Sequence, residues 1–108
     1  MQLGVILQSN NSEHVWNSFR FCITALKAGH TVTTFLLNEG SELESIGDTD
    51  KYDISKKVNE YRELGGEILA CGTCLQSRGK EGSDVCPVST MQDLLKLVEE
   101  SDKVLVFS

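Results

Sequence analysis

The chain has 108 residues, 40% of them hydrophobic, which is enough for one ordinary core and too little for two, so a single domain over residues 1–108 is expected. A formal net charge of -6 and a pI near 4.8 disfavour a broad phosphate-binding face, so no direct nucleic-acid contact is expected and protein or small-molecule partners are favoured. No apolar run approaches the roughly 18 to 20 residues that cross a bilayer, and the opening MQLGVILQSNN lacks the basic region and cleavage site of a signal peptide; a cytoplasmic protein without membrane contact is the expectation.

Leu3 to Leu7 is a short continuous apolar run of the kind that forms a strand buried on both faces. Asn10, Asn11 and Ser12 offer N-caps, after which Val15, Trp16, Phe19, Cys22, Ile23 and Leu26 recur at helical spacing as far as Gly29. The spacing predicts a helix over about 12–28, with Cys22 in the core and Phe21 pointing away from the apolar stripe. His30 to Leu37 is rich in β-branched residues and predicts a second strand, with Asn38-Glu39-Gly40 at its carboxyl end. Ser41 to Lys51, carrying Glu42, Glu44, Asp48 and Asp50, reads as a solvated loop or as a lid facing a partner.

Asp53 is the expected cap of a second helix whose Ile54, Val58, Tyr61 and Leu64 recur three or four residues apart. Ile68, Leu69 and Ala70 then read as a buried strand ending in Cys71, and a short helix is expected over about 72–78. Gly79 to Asp84 is a turn, and Val85-Cys86-Pro87-Val88 a short extended piece, because the residue before proline is pushed out of the helical region. Ser89 with Gln92 has capping-box spacing and opens a last helix with Met91, Leu94, Leu95 and Val98 on one face. Lys103 to Phe107 is expected as a final buried strand. Strands alternate with helices throughout, which predicts an α/β fold: a mostly parallel sheet of four to five strands with helices on both faces.

The chemistry concentrates at Cys71-Gly72-Thr73-Cys74. In an open parallel sheet the ligand crevice lies outside the carboxyl ends of the strands, so a thiol delivered there is expected to be reachable. A cysteine reacts as its thiolate, so it needs positive charge or free N–H groups nearby; Arg78 and Lys80 are close in sequence. Cys74 lies three residues on and shares a face with Cys71 if the segment is helical. Several readings stand beside a nucleophilic Cys71. It can be a small buried apolar side chain. The CGTC resembles the thioredoxin motif, but Pro87 is too near to begin a later strand facing a disulfide. Cys71, Cys74 and Cys86 have the donor chemistry of a zinc or iron-sulfur site, but no fourth ligand is evident, and neither a metal nor a cofactor is expected. The segment after the first strand, QSNNSEH, has no glycine-rich phosphate loop.

Ser18-Phe19-Arg20-Phe21, Ala25-Leu26, Gly29-His30 and Phe35 form the pattern SFxFxxxALxxGHxxxxF, and Cys71 ends a strand eight residues before the glycine of Arg78-Gly79. In these features the chain resembles the DsrE/DsrF-like sulfur-relay family. The resemblance implies a flavodoxin-like three-layer sandwich and a subunit that accepts sulfane sulfur as a Cys71 persulfide. It also implies transfer from a sulfur-donor protein to a sulfur-acceptor protein within a trimeric or hexameric assembly, for which a homo-oligomer is the simpler expectation. Cys74 stands where the family has a small residue, and it can act as a resolving thiol, as part of a redox sensor or as a metal ligand. Catalytic roles are accordingly expected for Cys71, Cys74 and Arg78.

Overall fold

The computed structural model describes residues 1–108. Five strands form one sheet in the order β4-β3-β2-β1-β5, and every neighbouring pair is parallel. The strands are β1 (Gln2–Leu7), β2 (Thr31–Leu36), β3 (Glu67–Cys71), β4 (Val88–Ser89) and β5 (Lys103–Phe107). The helices are α1 (Ser12–Lys27), α2 (Ile54–Glu63), α3 (Gly72–Ser77) and α4 (Met91–Glu100), with a 3₁₀ helix over Asn38–Ser45. The chain steps outward from β1 through β2 and β3 to β4, then returns to lay β5 on the opposite side of β1. Right-handed crossovers therefore put α1 and α2 on one face and α4 on the other, which makes three layers.

The core lies between the sheet and the α1–α2 layer. Leu3, Val5 and Leu7 of β1 stand in register with Val32, Thr34 and Leu36 of β2, and all six are buried. Since side chains alternate along a strand, these residues share a face, which Val15, Phe19, Cys22, Ile54, Val58 and Tyr61 complete from the helices. Tyr61 is fully enclosed. Its hydroxyl reaches the Glu67 carbonyl oxygen at 2.5 Å and the Thr34 hydroxyl at 3.1 Å, and its ring leaves no room for a Cβ at Gly66.

Two of the three long-helix starts are held by side chains other than those expected. Asn11 caps α1, its Oδ1 accepting from the N–H groups of Glu13 and His14 at 3.0 and 3.1 Å. Asp53 occupies the N-cap position of α2, but its side chain makes no capping bond. Its carboxylate accepts the Trp16 indole N–H at 2.7 Å, and Asp48 takes the Ser55 N–H at 2.9 Å instead. The cap of α4 is Thr90, accepting from the Asp93 N–H at 3.2 Å, while Ser89 donates to the Asp93 carboxylate at 2.8 Å.

Two expectations about burial are corrected. β5 is an outer strand paired with β1 alone, and Val106 is exposed, because the returning crossover leaves it at the sheet edge. On α4, Leu94 and Leu97 are half-buried, but Met91, Leu95 and Val98 face outward uncovered. Phe21 is exposed, as its angular position on α1 predicts, with its ring 6.2 Å from that of Phe107. No helix is long and apolar enough to cross a membrane.

Candidate functional site

Three strand ends converge on the cysteines. After β1 comes Gln8; after β2 comes Asn38, which opens the 3₁₀ helix; and after β3 comes α3 with Cys71 as its N-cap. The 3₁₀ helix crosses the end of β1 so closely that a Cβ at Gly40 would overlap the Leu7 carbonyl oxygen. Glycine is needed there for space, since the backbone of one segment rests on that of the other.

Asn38 has φ of +52°, a left-handed conformation that asparagine tolerates better than most residues. Its side-chain amide donates to Gln8 Oε1 at 2.8 Å, its carbonyl accepts from Ser41 Oγ at 2.7 Å, and its backbone N–H donates to Cys74 Sγ at 3.3 Å. The Cys74 N–H in turn points at Cys71 Sγ, 3.5 Å away. Both thiols thus have a backbone donor, and the two cysteines lie on one side of a single helical turn.

The expectation that Cys71 is reachable is corrected, because the packing at the end of β3 covers it. Cys71 sits at the end of β3, in register with Ser89 of β4, and only 4% of its surface is exposed. Cys74 is half-buried, more open than Cys71. The Cys74 thiol lies above its ordinary pKa: burial first, and then the adjoining Cys71 thiol, raise it by more than the Asn38 N–H and the Arg78 charge pull it down.

Arg78 acts across a different gap from the one anticipated. Its Nε donates to Glu42 Oε2 at 2.8 Å and its Nη1 to the Cys74 carbonyl at 3.1 Å, so the guanidinium ties α3 to the 3₁₀ helix. Asn10 Nδ2 holds the other oxygen of Glu42 at 3.2 Å, and Lys80 bonds Ser45 on the same segment. The acidic stretch after Gly40 is therefore folded onto the site, with Ser41 and Leu43 buried. Glu42, Asn38 and Gln8 escaped sequence reasoning because each owes its role to a partner some 30 or more residues away.

The bond from Arg78, and then that from Asn10, hold the Glu42 carboxyl below its ordinary value of 4.5. A carboxylate depressed in the fold contributes stability above its unfolded pKa and loses it as pH falls through the folded one. The melting temperature of the wild type should therefore drop more steeply below pH 4.5 than that of Glu42→Gln, as followed by circular dichroism. Parallel profiles would mean that the clasp is idle.

The other two cysteines are set apart by their surroundings. Burial pushes Cys22 up to about 11, and burial together with the charge of Glu44 pushes Cys86 up to about 12. Thiolates are scarce at neutral pH in both. No three His, Cys, Asp or Glu side chains come together as metal ligands.

The fold and site define the class as an open, all-parallel α/β sheet with a pair of thiols at the carboxyl end of an inner strand. The profile of the DsrE/DsrF-like family matches residues 1–107, and the chain belongs to that family. It is 33% identical over 100 residues to the uncharacterized protein MK0008 of Methanopyrus kandleri, covering 88% of this chain and 83% of that one. With the uncharacterized protein MJ0989 of Methanocaldococcus jannaschii it shares 31% identity over 100 residues, covering 88% of each. The crystal structure of the ychN protein from E. coli superimposes with a TM-score of 0.82, covering 99% of this chain and 100% of the other. At 24% identity that likeness shows the fold. Family membership points to sulfur relay in general.

Proposed function

We propose that the protein is a sulfane-sulfur carrier in which Cys71 holds the sulfur as a persulfide between a donor protein and an acceptor protein. One observation carries the reading: two thiols share the first turn after β3, each beside a backbone N–H, while Cys22 and Cys86 are buried and hard to ionise. Persulfide exchange passes sulfur between neighbouring thiols, and Cys71 and Cys74 are such neighbours, each sulfur facing a backbone N–H. The near-complete cover over Cys71 supports storage, since a shielded persulfide is out of reach of stray thiols. Arg78 is the positioning residue, holding the 3₁₀ helix against Cys74. The setting is a reducing cytoplasm, where all four cysteines stay free.

Incubation of the reduced protein with a persulfide donor, followed by intact mass measurement, tests this. The wild type should gain the mass of one sulfur atom, and the Cys71→Ala, Cys74→Ala double variant none. No gain on the wild type would remove the proposal.

The carrier works as a homo-oligomer in this reading, because Met91, Leu95 and Val98 form an outward apolar stripe on α4 that a second copy would cover. Sedimentation equilibrium should find the wild type associated and Leu95→Glu shifted to monomer. A monomeric wild type would rule the assembly out.

A further inference from the structure

If sulfur is carried on Cys71, a donor must reach a residue with 4% of its surface exposed, while Cys74, only half-buried, lies on the same turn. Direct loading of Cys71 would bring the donor cysteine past α3 to a sulfur at the sheet end. Cys74 needs no such passage. Its sulfur already accepts an N–H from Asn38, contributed by the end of another strand, so a negative charge forming there meets a fixed donor. The Cys74 N–H, directed at Cys71 Sγ, holds the second thiol beside the first.

We propose that Cys74 is the port of the relay: sulfane sulfur lands first on Cys74 and then moves inward to Cys71. This rests on the carrier reading above. In the first step the Cys74 thiolate attacks the terminal sulfur of the donor persulfide. The donor's S–S bond breaks, the donor leaves as its thiolate, and Cys74 becomes the persulfide. In the second step the Cys71 thiolate attacks that same terminal sulfur. The S–S bond to Cys74 breaks, Cys71 carries the sulfur, and the Cys74 thiolate is regenerated, taking up the proton that Cys71 gave away. The sulfane sulfur keeps its oxidation level throughout, so neither step needs an oxidant or a reductant. Handing sulfur to an acceptor thiolate runs the same two steps in reverse. The arrangement separates entry from storage: the less buried thiol receives the sulfur and the covered one keeps it.

The test is a time course of loading from glutathione persulfide, quenched with an alkylating agent and read by intact mass and peptide mapping. In the wild type the added sulfur should appear on Cys74 first and on Cys71 later. Cys71→Ala should retain the added sulfur on Cys74 without passing it on, whereas Cys74→Ala should load at least about tenfold more slowly than the wild type. Cys74→Ser, which keeps a polar group near the Asn38 N–H, should be as slow as Cys74→Ala, separating a chemical role from a packing one. Loading of Cys74→Ala at the wild-type rate on Cys71 would overturn the port and leave the carrier intact. A wild type that takes up no sulfur would overturn both.

Discussion

Gly40→Ala is expected to destabilise the protein by about 3 kcal/mol and to abolish sulfur loading, because there is no volume for a methyl group between the 3₁₀ helix and β1. The Cβ would overlap the Leu7 carbonyl oxygen, a backbone atom with no freedom to turn aside, since it also accepts the Leu37 N–H at 3.0 Å. The 3₁₀ helix must then lift. Lifting it withdraws the Asn38 N–H from Cys74 and the Glu42 carboxylate from Arg78, so the damage falls on the site as well as on the fold. Urea denaturation gives the stability change, and the alkylation rate of Cys74 reports the local opening. A variant as stable as the wild type, with unchanged Cys74 reactivity, would show that the corner has slack that the packing denies.

The second large effect is expected from Tyr61→Phe, at about 2 kcal/mol, because the lost hydroxyl leaves buried polar groups without a partner. The hydroxyl sits between the Glu67 carbonyl and the Thr34 side chain, where β2, β3 and α2 meet. Phenylalanine fills the same space, so the ring keeps its edge contact with Phe19, at 5.2 Å between centroids, and no cavity opens. The cost is confined to hydrogen bonding, and loading should survive, because Glu67 lies at the opposite end of β3 from Cys71. The midpoint of urea unfolding measures the first, and donor incubation the second. A change below about 0.5 kcal/mol would mean that water or a repacked Thr34 replaces the hydroxyl.

Local patterns were readable along the sequence wherever one element decides its own form. The stripe Val15, Phe19, Cys22 and Ile23 fixes α1 and its buried face, because helical periodicity is a property of that segment alone. The strand that ends at Cys71, and the short helix after it, were evident for the same reason. What depends on a remote partner was hidden. Asp53 looks like a cap until Trp16, 37 residues earlier, takes its carboxylate. Glu42 looks like one charge in a wet loop until Arg78, 36 residues later, is folded against it. The run KVLVF has a buried composition but lies at the sheet edge, because strand order is set by crossovers. The family resemblance makes Cys71 the expected reactive thiol, but a sequence pattern carries no measure of cover. Only the packing of α3 reveals that Cys74 is the more open of the two.

The central claim is that the cysteines after β3 carry sulfane sulfur. Its most direct measurement is peptide mass spectrometry of protein loaded from a persulfide donor and freed of the excess. The account predicts one added sulfur on the peptide spanning Cys71 and Cys74, with Cys22 and Cys86 unmodified. Added sulfur on Cys22 or Cys86 in place of that pair, or on no cysteine at all, would contradict it.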